Sequence, residues 1–395
     1  MCFICTQSKG FETDIEKIIE LNEKESLEIN QVDNYKLSTP IIGSNNNKYT
    51  FNIIGLNQTS NLYEGIKINS IAGIEYIATK LKWKGTLDFV VRIGGMEEWF
   101  APGNGFGSYG NSNDVLHEAT TGIDLFPKRP DGWDEWSQVD WDLGTWIKLN
   151  KNKDGIDNYG VKVFIDPNPI AEMDDYIPSN THDYFGIFIH EFLHTMGFTN
   201  SNKKFQSLIQ NDSGKNYLRG EASVSMMKEG VELEEPGLFH YSTSLPDKYD
   251  IMGQGLYEKN RWTFTDLDQA IFGDLGYGIV RAGSDSRENI IGGLGDDVIN
   301  LKGGTDDVKG RGGNDNIDGG NGFDTATYSG KFTDYTFAIA NKIVTVTDNR
   351  TSVNDGTDTL SNIEKLSFAD KSALITSKGI QEVNSLGFQS TKIYS

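Results

Sequence analysis

The stretch HEFLHTMGF, residues 190–198, contains two histidines four positions apart, with a glutamate directly after the first. On an α-helix, residues four apart lie on one face, about 6 Å apart along the axis, so His190 and His194 can reach one metal ion. Zinc takes imidazole ligands and lowers the pKa of a bound water to about 7. Glu191 is therefore a candidate general base for hydrolysis. The alternative is a helix with two surface histidines and no metal.

A zinc site of this kind needs a third protein ligand. Where an extended zinc motif would place a third histidine, this chain has Asn200, and asparagine is a poor zinc ligand. His117 lies far upstream, and His182 precedes His190 by about 12 Å of helix axis, too far to share a metal. His240 is left as the candidate third ligand, with Asn200 itself and a degenerate site as the alternatives.

These residues resemble the metzincin family of zinc endopeptidases. Gly197 extends the motif to H-E-x-x-H-x-x-G, and KYDIMGQG, residues 248–255, resembles the Met-turn of the family, with Met252 as its methionine. HEFLHTMGF and FHYSTSLPDKYDIM are similar to the leishmanolysin branch, in which an insertion separates the motif from a distant third histidine. The resemblance implies that His240 is the third zinc ligand, that residues 199–239 are the insertion, and that the Met-turn lies beneath the metal.

The candidate zinc site needs a rigid helix to position it. Apolar spacing predicts a helix from about His182 to Met196, with Thr181 as its cap and Asp183 in its first turn. Gly197 fits a left-handed residue at the end of that helix. A further helix and two strands are also predicted: 68–84, 86–95 and 161–167.

From Gly283 onward, the chain repeats with a period of nine residues. The sixth position of each repeat carries a carboxylate: Glu288, Asp297, Asp306, Asp315 and Asp324. The eighth position is apolar: Ile290, Ile299, Val308, Ile317 and Ala326. The pattern predicts an all-β parallel β-roll, in which glycine turns alternate with short strands and the sixth-position carboxylates bind Ca²⁺. A flexible linker rich in Gly and Asp is the alternative, but a linker would not keep apolar residues in a nine-residue register.

Residues 283–371 resemble the RTX repeats of calcium-binding secreted bacterial proteins and the segment that follows such repeats. RTX proteins leave the cell through a type I secretion apparatus that reads a C-terminal signal. The resemblance therefore implies an extracellular protein without a signal peptide. The low calcium concentration of the cytosol would leave the repeats unfolded for export, and the higher concentration outside would fold them.

A metzincin domain followed by RTX repeats is the domain order of the serralysins, which this chain resembles in architecture. Two positions depart from the serralysin pattern. Asn200 stands at a ligand position, and Gln254 stands where serralysins carry a tyrosine two residues beyond the Met-turn methionine. Tyr257 and Tyr241 are the candidate substitutes for that tyrosine.

The overall composition restricts the classes of partner. The formal net charge of -21 argues against nucleic acid and anionic membrane surfaces. There is no apolar run of about 18 residues that would predict a membrane-inserted helix, and no signal peptide is visible. Cys2 and Cys5 form a lone C-x-x-C pair, which is a weak signal for zinc or redox chemistry. They are the two cysteines of the chain and could close only a small local loop, so we expect no disulfide in the core.

Three regions are predicted: an N-terminal segment that is a candidate inhibitory pro-segment, 1–45; a zinc metallopeptidase domain of the α+β metzincin type, 46–280; and an all-β parallel β-roll of the RTX type with a secretion-associated region, 281–395. We expect a secreted zinc endopeptidase that cleaves protein or peptide substrates, with one catalytic Zn²⁺ and several Ca²⁺ ions. The alternative is a non-catalytic, calcium-dependent adhesive protein on the same scaffold. Glu191 favours the enzyme, because an adhesive protein has no use for a general base.

Overall fold

The structure is a computed structural model of the 395-residue chain. It describes the following residues: 39–54, 61–94, 119–125, 147–149, 163–164, 169, 182–198, 202–234, 240–242, 251–253, 261, 263–383 and 389–394. The predictions for residues 1–38, which include Cys2 and Cys5, and those for Asn200, Gln254 and Tyr257 lie outside the described residues.

The chain divides into two compact units. The first unit takes the described residues of three ranges: Met1–Ile77, Lys84–Asn216 and Glu232–Thr265. The second unit takes those of three others: Ala78–Trp83, Tyr217–Val231 and Asp266–Ser395. The candidate zinc ligands fall in the first unit and the nine-residue repeats in the second. The second unit also takes in residues before 281, and the domain boundaries drawn from the sequence stay a prediction.

A five-stranded mixed sheet lies in the first unit. Its strands are β1 Ile41–Ile42, β2 Lys48–Ile54, β4 Thr86–Gly94, β5 Ala119–Leu125 and β6 Ile147–Leu149, in the order β1-β2-β4-β5-β6. Strands β2 and β4 are parallel, and the other neighbours are antiparallel. Two further strands, β7 Val163–Phe164 and β8 His182–Asp183, pair in parallel. The strands predicted at 86–95 and 161–167 are therefore observed as β4 and, in its two described residues, β7.

Two helices pack closely in the first unit: α1 Asn61–Ala78 and α2 Tyr184–Thr195. A Cβ on Gly73 of α1 would come within 2.8 Å of the Phe188 ring of α2, so glycine permits the close approach. The hydroxyl groups of Ser70 and Tyr184 lie 3.2 Å apart in the same buried contact. The helix predicted at 68–84 begins earlier and ends earlier than expected, because the chain turns after α1 and forms strand β3, Leu81–Lys82.

Helix α2 begins at Tyr184, two residues later than predicted, because the two residues before it are extended in β8. Its cap is Asp183, whereas Thr181 was predicted. The Asp183 carboxylate accepts a hydrogen bond of 3.1 Å from a backbone N–H of the first turn. The same carboxylate is paired with Arg261, whose Nε lies 2.7 Å from it. At the other end of the helix, Gly197 has a φ of 115°, the left-handed conformation that was predicted.

Short elements occupy residues 202–232, within the predicted insertion. They are α3 Lys203–Leu208, β9 Ile209–Asp212, β10 Lys215–Leu218, α4 Glu221–Met226 and β11 Val231–Glu232. Asn202 caps α3 by accepting a hydrogen bond of 2.7 Å from the backbone N–H of Lys204. The described part of the insertion therefore has regular structure.

Short parallel strands follow one another in the second unit, after helix α5, Asp266–Leu275. They are β12 Gly278–Ala282, β13 Asn289–Ile291, β14 Val298–Asn300, β15 Gly303–Gly304, β16 Asp307–Lys309, β17 Asn316–Asp318, β18 Asn321–Gly322 and β19 Thr325–Thr327. Consecutive nine-residue repeats alternate between two sheets, so that Ile290 lies opposite Val308 in one sheet and Ile299 opposite Ile317 in the other. This is the arrangement of a parallel β-roll.

The apolar eighth positions lie in the core of the roll. All five of them are buried: Ile290, Ile299, Val308, Ile317 and Ala326. Because they supply one apolar side chain in nine residues, their contribution to stability is small for the number of residues that the repeats order. The linker alternative is wrong, because the repeats form paired strands around a common core.

Later strands extend and close the two sheets of the roll. They are β20 Tyr335–Ala340, β21 Ile343–Asp348, β22 Thr357–Ser361, β23 Lys365–Ser367, β24 Ser372–Thr376, β25 Gly379–Val383 and β26 Gln389–Tyr394. Strands β22 and β23 each add one more parallel strand to a sheet, and the remaining strands are antiparallel. None of the described helices is both long and apolar enough to cross a membrane.

Candidate metal centres

Three histidine side chains converge in the first unit. The Nε2 atom of His190 lies 3.1 Å from Nε2 of His194 and 3.2 Å from Nε2 of His240. All three candidate ligand atoms lie within 4.8 Å of one another. Zn–N bonds of 2.0–2.1 Å at tetrahedral angles place ligand nitrogens about 3.3–3.4 Å apart, so the three imidazoles fit one zinc ion. Fifty residues separate the first of these histidines from the last, yet they share one site.

The opposite ring nitrogen of each histidine faces a fixed acceptor. His190 Nδ1 lies 2.5 Å from the carbonyl oxygen of Ile251, and His194 Nδ1 lies 2.8 Å from that of Phe198. His240 Nδ1 lies 3.3 Å from a carboxylate oxygen of Glu234. An acceptor at Nδ1 holds the proton there, so each Nε2 presents a lone pair. Three lone pairs directed at one point repel each other unless a cation lies between them.

The electrostatic environment keeps these histidines neutral. His190 and His194 are buried, so the alternative of two surface histidines is wrong. Burial lowers the pKa of His190 to about 4 and that of His240 to about 3. Burial, followed by the neighbouring histidines, also lowers the pKa of His194 well below its ordinary value. The imidazoles are therefore in the uncharged form that binds metals at neutral pH.

The segment around Met252 supports the histidines through its backbone. Met252 is fully buried, and its carbonyl oxygen accepts a hydrogen bond of 3.0 Å from the N–H of Tyr241. Tyr241 follows His240 directly and also forms a parallel bridge with Gly253. The residues at the predicted Met-turn therefore contact both the candidate ligand His190, through the carbonyl oxygen of Ile251, and Tyr241, the residue after the candidate ligand His240.

For the other residues predicted at the site, Glu191, Tyr241 and Tyr257, the structure describes a backbone position, a full side chain and nothing, respectively. The backbone of Glu191 lies in helix α2, one residue after His190, and its side chain is outside the described part of the structure. The ring of Tyr241 is buried against Phe198 at a centroid distance of 5.3 Å, which makes it a packing residue rather than a group presented to a substrate. The roles of Glu191 and Tyr257 stay predictions.

The second group of candidate ligands forms two ladders of carboxylates along the roll. All four predicted aspartates are buried: Asp297, Asp306, Asp315 and Asp324. One oxygen of each accepts a hydrogen bond of 2.7–2.9 Å from a backbone N–H eighteen positions earlier: Ile279, Glu288, Asp297 and Asp306. The ladders therefore follow the pairing register of the two sheets.

The second carboxylate oxygen is the one that suits a cation. In Asp306, Asp315 and Asp324, Oδ2 is buried without a hydrogen-bond partner. A Cβ on Gly310 would come within 2.0 Å of Oδ2 of Asp315, so the glycine leaves the space beside that oxygen open. A buried anionic oxygen without a partner is costly, and Ca²⁺ takes such oxygens as ligands. These three residues fit calcium, whereas Oδ2 of Asp297 accepts a hydrogen bond of 2.9 Å from Gly293.

Two members of the ladders were missed by the sequence analysis. Asp358 accepts a hydrogen bond of 3.0 Å from the N–H of Asp315, and Glu364 accepts one of 2.9 Å from that of Asp324. They stand 43 and 40 residues along the chain from these donors, instead of eighteen, because β20 and β21 intervene. A sequence signal for both residues exists. In DTL, residues 358–360, and EKL, residues 364–366, the carboxylate stands two positions before a leucine that is buried, as the sixth position does before the eighth in each repeat.

Burial also affects the charge of the ladders. It raises the pKa of Asp297 and Asp315 well above the ordinary range and that of Asp358 to about 7. Nearby carboxylates add to the shift in Asp315 and Asp358. Without a cation, these groups hold protons at a pH at which exposed aspartates are ionised. A bound cation would favour the ionised form.

Comparison with known proteins adds little. No protein family matches the chain, and no curated protein matches it. Among solved structures, the extracellular lipase LipA from Serratia marcescens is similar to it at 21% identity over 28% of this chain, with a TM-score of 0.24. The chain covers 18% of the length of that lipase. The two candidate centres therefore rest on the geometry of this chain's own residues.

Proposed function

We propose that the protein is a secreted, calcium-dependent zinc metalloendopeptidase with a metzincin-type catalytic domain and a C-terminal RTX β-roll. The observation that carries the proposal is the convergence of the Nε2 atoms of His190, His194 and His240, with Glu191 next to the first of them in the chain. Three neutral imidazoles and one carboxylate are the residues that a zinc-dependent hydrolysis requires.

The residues have distinct roles in this reaction. The three histidines would hold the zinc, which would supply a Lewis acid for the scissile carbonyl and lower the pKa of the attacking water. Glu191 would take a proton from that water and deliver it to the departing amine. The hydrogen bonds from Nδ1 of His190 and His194 to the carbonyl oxygens of Ile251 and Phe198 would keep these two rings in place during the transfers.

The substrate proposed for this site is an extended polypeptide. Such a chain binds to an open β-sheet edge by main-chain hydrogen bonds, as one further strand. The first unit offers a five-stranded sheet for this purpose, in the order β1-β2-β4-β5-β6. The net charge of -21 suits neither a nucleic-acid nor an anionic membrane partner.

The β-roll is proposed to bind several Ca²⁺ ions and to need them for its stability at neutral pH. The support is the set of buried, unpartnered oxygens of Asp306, Asp315 and Asp324. In a calcium-poor cytosol, these carboxylates and the small core would leave the roll unfolded. This suits export through a type I secretion apparatus, followed by folding outside the cell.

Hydrolysis of an unfolded protein in calcium, by wild type and Glu191→Gln in parallel, tests the proposal. We expect the wild type to cleave the substrate and the variant to lose cleavage while it keeps its zinc. If zinc-loaded wild type does not cleave, the alternative of a non-catalytic adhesive protein on the same scaffold is favoured. Wild-type protein that cannot be loaded with zinc at all would overturn the proposed enzyme and favour the calcium-dependent adhesive protein.

A further inference from the structure

The three histidines differ in the group that lies closest to Nδ1. His190 and His194 face backbone carbonyl oxygens, which are neutral. His240 faces the carboxylate of Glu234, at 3.3 Å between Nδ1 and Oε2. It is thus the histidine of the three with a side-chain anion behind its ring.

The backbone places Glu234 and His240 opposite each other. The N–H of Glu234 donates a hydrogen bond of 2.9 Å to the carbonyl oxygen of His240. Beside this bond, Leu233 and Tyr241 form an antiparallel bridge. The side chains of both residues are partly shielded, with 24% of Glu234 and 13% of His240 exposed. A fixed backbone and partial burial make their contact more than a chance surface ion pair.

His240 has more need of such a contact than its partners. His190 and His194 lie on a buried helix, where the backbone and packing restrict the ring. His240 lies outside any helix or strand, next to Tyr241, which forms isolated bridges with Leu233 and Gly253. A carboxylate at Nδ1 fixes the tautomer, turns Nε2 toward the other two ligands and raises the basicity of the ring.

We propose that Glu234 is a positioning residue for the third zinc ligand and forms a carboxylate–histidine–zinc arrangement with His240. This inference rests on the proposed zinc site. It assigns Glu234 no contact with substrate or with the reacting atoms. Its negative charge also offsets part of the metal's charge, which three neutral imidazoles do not.

The test compares zinc binding by five proteins: wild type, Glu234→Ala, Glu234→Gln, Glu232→Gln and His240→Ala. Zn²⁺ affinity is measured by competition with a chelating dye, and the Co²⁺ form is examined by its visible absorption. Glu232 is the matched control, because it lies two residues earlier and pairs with Lys215 at 2.9 Å instead of with a histidine. We expect Glu234→Ala to lose about 10–100-fold in affinity, Glu234→Gln to lose less, and Glu232→Gln to match wild type.

The outcomes separate this inference from the zinc site itself. If His240→Ala loses affinity and Glu234→Ala keeps the wild-type affinity and Co²⁺ spectrum, the role of Glu234 is wrong and the ligand set stands. If His240→Ala binds zinc as tightly as wild type, the ligand set fails and the inference fails with it. If Glu232→Gln weakens zinc binding as much as Glu234→Ala, the effect belongs to the strand and the positioning role is overturned.

Discussion

His190 Nδ1 lies 2.5 Å from the carbonyl oxygen of Ile251, the residue immediately before Met252. One hydrogen bond thus joins the candidate ligand His190 to the segment predicted to be the Met-turn. The carbonyl oxygen of Met252, the next residue, accepts another from the N–H of Tyr241, which follows the candidate ligand His240. The site is therefore assembled by backbone groups of a buried segment, and its geometry depends on the fold of the whole unit rather than on the helix alone.

The third ligand can be tested by substitution. His240→Ala should lower zinc affinity by more than the 10–100-fold that is typical for loss of an outer partner, because a direct ligand is removed. Asn200→Ala should leave the affinity unchanged, since asparagine is a poor zinc ligand. Zinc content after dialysis against a competing chelator measures both variants. Equal zinc content in wild type and His240→Ala would show that the third ligand lies elsewhere.

The cap of helix α2 offers a test of how the site is positioned. Asp183 is 2% exposed at its side chain and accepts hydrogen bonds from both the helix and Arg261, whose side chain is 1% exposed. Asp183→Ala removes the cap and leaves a buried guanidinium without its partner, so we expect a loss of about 3–5 kcal/mol in unfolding free energy. Denaturant unfolding measures this loss. Asp212→Ala, on an exposed strand, is the control and should change stability by less than about 0.5 kcal/mol.

Calcium removal should unfold the second unit in part. When ionised, Asp324 is repelled by Asp306, and Asp315 by Asp297 and Asp358, while the repeats supply only one eighth-position apolar side chain in nine residues to compensate. Circular dichroism in calcium and after chelation should show a loss of β signal that returns with Ca²⁺ and not with Mg²⁺. A spectrum that does not change on calcium removal would contradict a calcium-dependent roll.

The stability of the calcium-free roll should depend on pH in the opposite sense to most proteins. The pKa of Asp358 is about 7 in the folded protein and about 4 in an unfolded chain. Between these values the folded protein binds the extra proton, so the stability that Asp358 contributes is fully present below pH 4 and is lost as the pH rises through 7. Asp297 and Asp315, whose pKa values are also raised, act in the same direction.

Melting temperatures in calcium-free buffer at pH 5 and pH 8 measure this dependence, and we expect the higher value at pH 5. Asp358→Asn mimics the protonated group and should reduce the difference between the two. With calcium present, the cation stabilises the ionised carboxylates, so the melting temperature should be higher at pH 8 than at pH 5. A calcium-free protein that melts at the same temperature at both pH values would contradict the raised pKa values.

The roll could be predicted from the sequence because its period repeats the same two requirements, a carboxylate at position six and an apolar residue at position eight, in every nine residues. Asp358 and Glu364 satisfy the same requirements but follow an inserted hairpin, so the period alone does not reach them. The cap of α2 was misplaced because Thr181 and Asp183 are both good capping residues, and only the pairing of β7 with β8 decides between them. The contacts of His240 with Glu234 and His190 depend on tertiary structure that no local pattern shows.

The alternation of repeats between two sheets has a consequence for how such a chain can change in length. One added repeat would move every later strand to the opposite sheet, and the hairpin β20–β21, which pairs with β22, would change sides. Two added repeats would restore the original sides and only lengthen the roll. The roll can therefore gain or lose repeats in pairs, that is, in steps of eighteen residues, without changing the sheet to which the later strands belong. A step of nine residues would move those strands to the opposite sheet.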